Sequence, residues 1–203
     1  MKFKKFILCL MACILGLSIL LPVRTFADNN NLNINAESAI LIDNDTGKVL
    51  YEKSANEKRE PASTTKIMTA LLTLENCDLN DIATVTSEAI TSVPSGYSTD
   101  LLKMGEELTI KDLLYALLLP SSNEAANVLA IHIAGSIDSF ASMMNTRAIE
   151  LGCKNTHFVN PNGVHDDNHY TTAYDLSVIA REAMKNDIFR PVSYTHLTLP
   201  TKA

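Results

Sequence analysis

The 203-residue chain lacks an apolar run of comfortable membrane-spanning length. Its longest run, Phe6 to Pro22, has seventeen residues, whereas a spanning helix needs about 20. Lys2, Lys4 and Lys5 precede the run and Thr25-Phe26-Ala27 closes it on a small residue, so residues 1–27 read as a cleaved export signal. The run continues well past Cys13, which argues against lipoprotein processing at Leu10-Met11-Ala12-Cys13. A basic excess is also missing. The formal charge is −6, and loss of residues 1–27 takes four positive and no negative charges, leaving −10. An acidic exported domain is a poor partner for nucleic acid or anionic lipid. Cysteine is scarce: Cys9 and Cys13 leave with the signal, and Cys77 and Cys153 make no disulfide framework. One bridge and two separate thiols both fit. There is no internal repeat, low-complexity tract or interdomain linker, and the remaining 176 residues suffice for one core.

What is present begins with two short apolar runs, Ser38 to Asp43 and Val49 to Glu52, around the turn formers Asn44-Asp45-Thr46-Gly47, which predict a β-hairpin. After Pro61 a helix is expected from about Ser63 to Glu75, with Ile67, Leu71 and Leu74 as its apolar stripe, widened by Met68 and Leu72. Residues 79–108 read as irregular. Thr109-Ile110-Lys111-Asp112 resembles a capping box opening a helix to Leu119, ended by Pro120. Further helices are predicted from Asn123 to Ala134 with a stop at Gly135, from Asp138 to Leu151, and from a cap at Thr172 to about Asn186. Asn160 to Tyr170 is a polar loop. Helices dominate, and the few early strands imply a sheet completed by later sequence.

Ser63-Thr64-Thr65-Lys66 carries the chemistry. Residues three apart on a helix share a face, which sets a hydroxyl beside an amine. A serine is a weak nucleophile until a base takes its proton, and lysine is a base only when neutral. That requires a fall from ~10.4 to ~7–8, roughly 4 kcal/mol, in the direction that burial on an apolar face pushes. Ser-x-x-Lys alone is common as a helix cap with a solvated lysine. Ser121-Ser122-Asn123, between two buried helices, is a second rigid polar corner, ordinarily no more than a cap. His165, Asp166, Asp167 and His169 lack the fixed spacing of zinc motifs, which argues against a metal site there.

The neighbouring residues add a resemblance. Pro61-Ala62-Ser63-Thr64-Thr65-Lys66-Ile67-Met68-Thr69-Ala70-Leu71 is similar to the first motif of the low-molecular-mass penicillin-binding proteins, the serine D-alanyl-D-alanine carboxypeptidases. Ile42 to Tyr51 resembles their opening hairpin, and Leu119 to Ala126 their Ser-x-Asn motif. Phe158 to Gly163, followed by His169 to Asp175, resembles their next diagnostic loop. The likeness covers about Ile34 to Arg190. It implies an α/β (α+β) fold of the β-lactamase/transpeptidase type: an antiparallel sheet flanked by helices, with a helical subdomain. It further implies Ser63 as acyl-enzyme nucleophile, Lys66 as general base, Ser121 as proton relay to the leaving D-alanine, and Asn123 as a hydrogen-bond partner of the substrate peptide. The Ser63 N–H would supply half of an oxyanion hole. No metal or organic cofactor is implied. The expected partners are peptidoglycan stem peptides and acylating β-lactams, not nucleic acid, in the cell wall or at the outer face of the cytoplasmic membrane, with membrane association not encoded in this fragment.

The family's third motif, Lys-Thr-Gly, is missing; Thr46-Gly47-Lys48 has the wrong order and sits in the hairpin. Ser193 to Ala203 does not resemble family sequence. The expected organisation is therefore a signal at 1–27, a partial catalytic domain at 28–190 that is incomplete at its C-terminus, and a non-native tail at 191–203. A fragment without the third motif loses an oxyanion donor, worth about 10²–10³ in rate, and is expected to be inactive by itself. Two alternatives stay open. A class A β-lactamase shares Ser-x-x-Lys but normally carries Ser-Asp-Asn and a Glu-x-x-Leu-Asn loop. A non-catalytic domain binding wall peptides or β-lactams would tolerate the missing motif.

Overall fold

Asp43 organises the start of the domain. Its carboxylate accepts from the Thr46 N–H (2.7 Å) and the Thr46 hydroxyl, which holds it below the usual carboxylate range. The turn it closes joins strands β1 (Ala39–Ile42) and β2 (Val49–Lys53), which pair antiparallel with an irregularity between Leu41 and Ile42. Gly47, at φ +71°, lies under the Arg181 guanidinium: a Cβ there would meet Nη1 at 2.5 Å. Arg181 Nε also donates to the Asn44 carbonyl (3.0 Å), so the hairpin tip is fastened to a later helix. The computed structural model describes residues 32, 34–97 and 101–194, and for Tyr194 the backbone alone. The expected export signal and residues 195–203 of the tail lie outside the described residues.

The first helix does not begin at Ser63. Ala62–Thr65 forms a 3-10 turn, and α1 (Lys66–Asn76) continues from it. The buried side also differs from the predicted stripe. Met68, Thr69, Ala70, Leu71, Leu72 and Thr73 are buried, and Ile67 and Leu74 sit at the margin. The periodicity missed the threonines because their hydroxyls are satisfied locally: Thr73 donates to the Thr69 carbonyl (2.8 Å) and Thr69 to Pro161 O (2.5 Å). A helix buried nearly all round belongs at the centre of a domain.

Residues 79–108 are more ordered than expected. They contain β3 (Ile82–Thr84), α2 (Ser87–Thr91) and β4 (Glu107–Thr109), with β3 and β4 paired antiparallel. Three-residue strands hold too few side chains to show an alternation, which is why the sequence hid them. Helices α3 (Ile110–Leu118), α4 (Asn123–Ala134), α5 (Ile137–Glu150) and α6 (Ala173–Ala183) follow, the last ending three residues short of the expected Asn186. Side-chain caps from Thr109, Ser122, Ser136 and Thr172 start all four. A short α7 (Phe189–Tyr194) buries Phe189 and Val192.

One core joins these helices around Met68, Leu113, Leu117, Leu129, Phe140 and Phe158, each essentially inaccessible to solvent. Such side chains contribute about 1.5–3 kcal/mol apiece. The polar frame matters as much for the site. Asn145 grips Phe158 at both backbone groups (2.7 and 2.8 Å), and Asp175 Oδ2 accepts from Lys154 N, Asn155 N and Thr156 Oγ1 at 2.7–3.1 Å. These clamps fix the start of the 157–170 loop, and a bridge between His157 and Tyr170 closes its two ends on each other.

Candidate active site

The 3-10 turn presents Ser63 to solvent and sends Lys66 inward, where it is 2% exposed. Neither the turn nor α1 has a side-chain cap or an acidic residue in its first turn. Among the described residues the Ser63 N–H has no backbone acceptor, as expected of the first N–H groups of a helical turn. The positive end of the helix therefore lies bare beneath the Ser63 hydroxyl, favouring negative charge that develops there.

Lys66 Nζ donates to Asn123 Oδ1 (2.7 Å) and to the Asn162 carbonyl (2.8 Å), and lies 3.4 Å from Ser63 Oγ. The first two partners only accept, so they take two of the amine hydrogens. When the third proton leaves, the lone pair points at the Ser63 hydroxyl. Burial is the main force on this equilibrium and pushes Lys66 down to about 8; the Glu124 carboxylate acts in the opposite sense. Asn123 is held by its own contacts, because Nδ2 donates to Tyr97 O (2.7 Å) and an inverted amide would lose both bonds.

Ser63, Lys66 and Asn123 thus meet. Ser121 lies at the same α3–α4 corner, half-buried, but its hydroxyl makes no hydrogen bond to any of the three. Its backbone is left-handed at φ +61°, as is that of Ala62 at +48°. Two of the three described non-glycine residues with such angles therefore flank the reactive corner, where strained backbone is commonly retained.

The loop contributes what the sequence reading left out. Asn160 Oδ1 accepts from Asn162 N (3.3 Å) and Gly163 N (2.7 Å), folding the turn that aims the Asn162 carbonyl at Lys66. Asn162 Nδ2 then donates to Asn127 Oδ1 (3.0 Å), and Asn127 Nδ2 to Ala89 O (3.0 Å). Gly163, at φ +87°, passes so near the reactive turn that a Cβ would lie 1.9 Å from Ala62 O. The turn-forming run Asn160-Pro161-Asn162-Gly163 was the available signal, but nothing in it marked a carbonyl as the partner of a distant amine. The four loop residues weighed as metal ligands are dispersed. His165 faces Glu60 and Asp167 at the surface, Asp166 Oδ1 accepts from Asn168 N, and His169 is buried against Thr65. Cys77 and Cys153 are free thiols, and burial pushes Cys153 up to about 12.

Known proteins share this arrangement of elements. A carboxypeptidase DacF from Bacillus subtilis (strain 168) is 46% identical over 154 residues, covering 74% of this chain and 39% of its own length. A D-alanyl-D-alanine carboxypeptidase from Streptomyces sp. (strain K15) is 40% identical over 171 residues, covering 80% and 59%. The crystal structure of penicillin binding protein 6B from Escherichia coli superposes with a TM-score of 0.77 at 32% identity, over 83% of this chain and 56% of that one, which shows the penicillin-binding fold. The chain thus spans between 39% and 59% of the length of these curated relatives. The sequence profile of the D-alanyl-D-alanine carboxypeptidase family matches residues 24–198, and the chain belongs to that family.

Proposed function

We propose that the protein is an exported serine peptidase that removes the terminal D-alanine from peptidoglycan stem peptides through an acyl-enzyme on Ser63. Lys66, with two hydrogens committed to carbonyls and its remaining position facing Ser63 Oγ, supports this above all. Ser63 Oγ attacks the carbonyl between the two D-alanines while its proton passes to Lys66 Nζ. The tetrahedral oxyanion gathers at the Ser63 N–H. Its collapse breaks the C–N bond, and the departing amine takes up a proton relayed by Ser121. Asn123 holds the substrate's backbone, and water hydrolyses the ester with Lys66 again as base. β-Lactams enter the same path and stall at the ester. The charged start and apolar run of residues 1–27 support export, with the chemistry carried out in the wall or at the outer face of the cytoplasmic membrane.

Labelled penicillin applied to the full-length gene product is expected to modify Ser63 once per chain, with no label on Ser63→Ala and with D-alanine released from a peptide ending in D-Ala-D-Ala. Rapid penicillin turnover would favour the β-lactamase alternative. Stem-peptide binding without D-alanine release would favour the non-catalytic one.

A further inference from the structure

Outside the Ser63–Lys66–Asn123 group, the described residue best placed to act on it is His169. The imidazole is 2% exposed and stands edge-on to Phe158, ring centroids 5.6 Å apart. Its Nδ1 accepts from the Val159 N–H (3.1 Å), which leaves Nε2 as the protonated nitrogen. Nε2 donates to Thr65 Oγ1 (2.8 Å). Thr65 is itself fully buried and lies in the 3-10 turn between Ser63 and Lys66. The same Thr65 oxygen borders Gly163. The far end of the loop is thereby tied to the turn that carries the hydroxyl, while its middle supplies the Asn162 carbonyl to the amine.

We infer that His169 is a positioning residue: as a neutral imidazole protonated on Nε2, it locks the 157–170 loop onto Thr65 and so keeps the Asn162 carbonyl on Lys66 and Lys66 beside Ser63. This role rests on the acyl-enzyme reading. It makes the histidine neither a metal ligand nor a base, since both nitrogens are committed to protein partners. If the tie is cut, the loop lifts, water reaches the amine, and the amine holds its proton to higher pH.

The test is the pH dependence of acylation by labelled penicillin, measured on the full-length gene product. His169→Phe fills the space but cannot donate. Its acylation midpoint is expected to move up from near 8 by about half a unit or more. His169→Gln carries an amide donor and is expected to restore the wild-type midpoint. Thr172→Ala removes the α6 cap and should lower the melting temperature while leaving the midpoint in place, which separates positioning from general loosening. A wild type that takes no label overturns the acyl-enzyme reading and this role with it. A labelled wild type whose His169→Phe variant keeps its midpoint overturns this role alone. If His169→Phe does not fold, 15N spectra of the wild-type imidazoles decide: Nε2–H on His169 sustains the inference and Nδ1–H refutes it.

Discussion

Gly163→Ala tests how the loop and the reactive turn depend on each other. The added methyl carbon would sit 1.9 Å from Ala62 O, 2.4 Å from Ala62 C and 3.0 Å from Thr65 Oγ1. Two of these atoms are backbone and cannot swing away. A carbon needs about 3.3 Å from a carbonyl oxygen, so the loop must withdraw by more than about 1 Å. Asn162, the preceding residue, then leaves Lys66 Nζ, because a 2.8 Å contact lengthened that far is no longer a hydrogen bond. The left-handed backbone at φ +87° adds about 1 kcal/mol for any residue with a Cβ. Overpacking adds about 1–3 kcal/mol and the lost bond about 1 kcal/mol. The sum, about 3–5 kcal/mol, corresponds to a fall in melting temperature of about 10 °C for a domain of this size. Misplacement of the amine by about 1 Å should cut the acylation rate about 100-fold. Calorimetry and labelled-penicillin kinetics on the same preparation read both numbers. A variant that melts within about 2 °C of wild type, or acylates within about threefold of it, refutes the claim that loop and turn are one unit.

Acylation should rise about tenfold between pH 7 and pH 9, tracking the neutral fraction of a Lys66 amine held near 8; a flat stopped-flow profile across that range contradicts its role as base. Stability should fall as pH drops from about 6.5 to about 4. His169 is pushed down to about 4 by burial, so the unfolded chain binds the extra proton in that window. Denaturant titrations should show a shallower fall for His169→Gln, and equal slopes would contradict the shift. Arg147 joins α1, α5 and α6 through Glu75, Glu150 and Glu182. Arg147→Ala should cost about 1 kcal/mol in thermal unfolding, less at high salt, without altering acylation.

The parts of this protein legible in the sequence are those with local causes. The hairpin follows from its turn formers and Asp43, and the helices after residue 109 follow from caps such as Thr109 and Ser122. Ser63 and Lys66 could be paired from spacing alone. Asn123 entered through family likeness, and its contact with Lys66 spans 57 positions. The contribution of Asn162 was illegible for a simple reason: a backbone carbonyl belongs to every residue, so only tertiary placement makes one significant. Thr65, Thr69 and Thr73 were equally hidden, since a threonine on a helix reads as polar until its hydroxyl is seen bonded inside. The short β3 and β4 strands fell below the length at which alternation carries information.

The left-handed backbone at Ser121 sets stability and activity against each other at one position. Glycine there would release about 1 kcal/mol of conformational strain and, in the same step, delete the hydroxyl proposed to hand a proton to the leaving group. A screen for heat-resistant variants would be drawn to Ser121→Gly and would select a sturdier protein that lacks this proposed relay. Thermostabilisation of this scaffold therefore calls for a parallel activity screen at that corner.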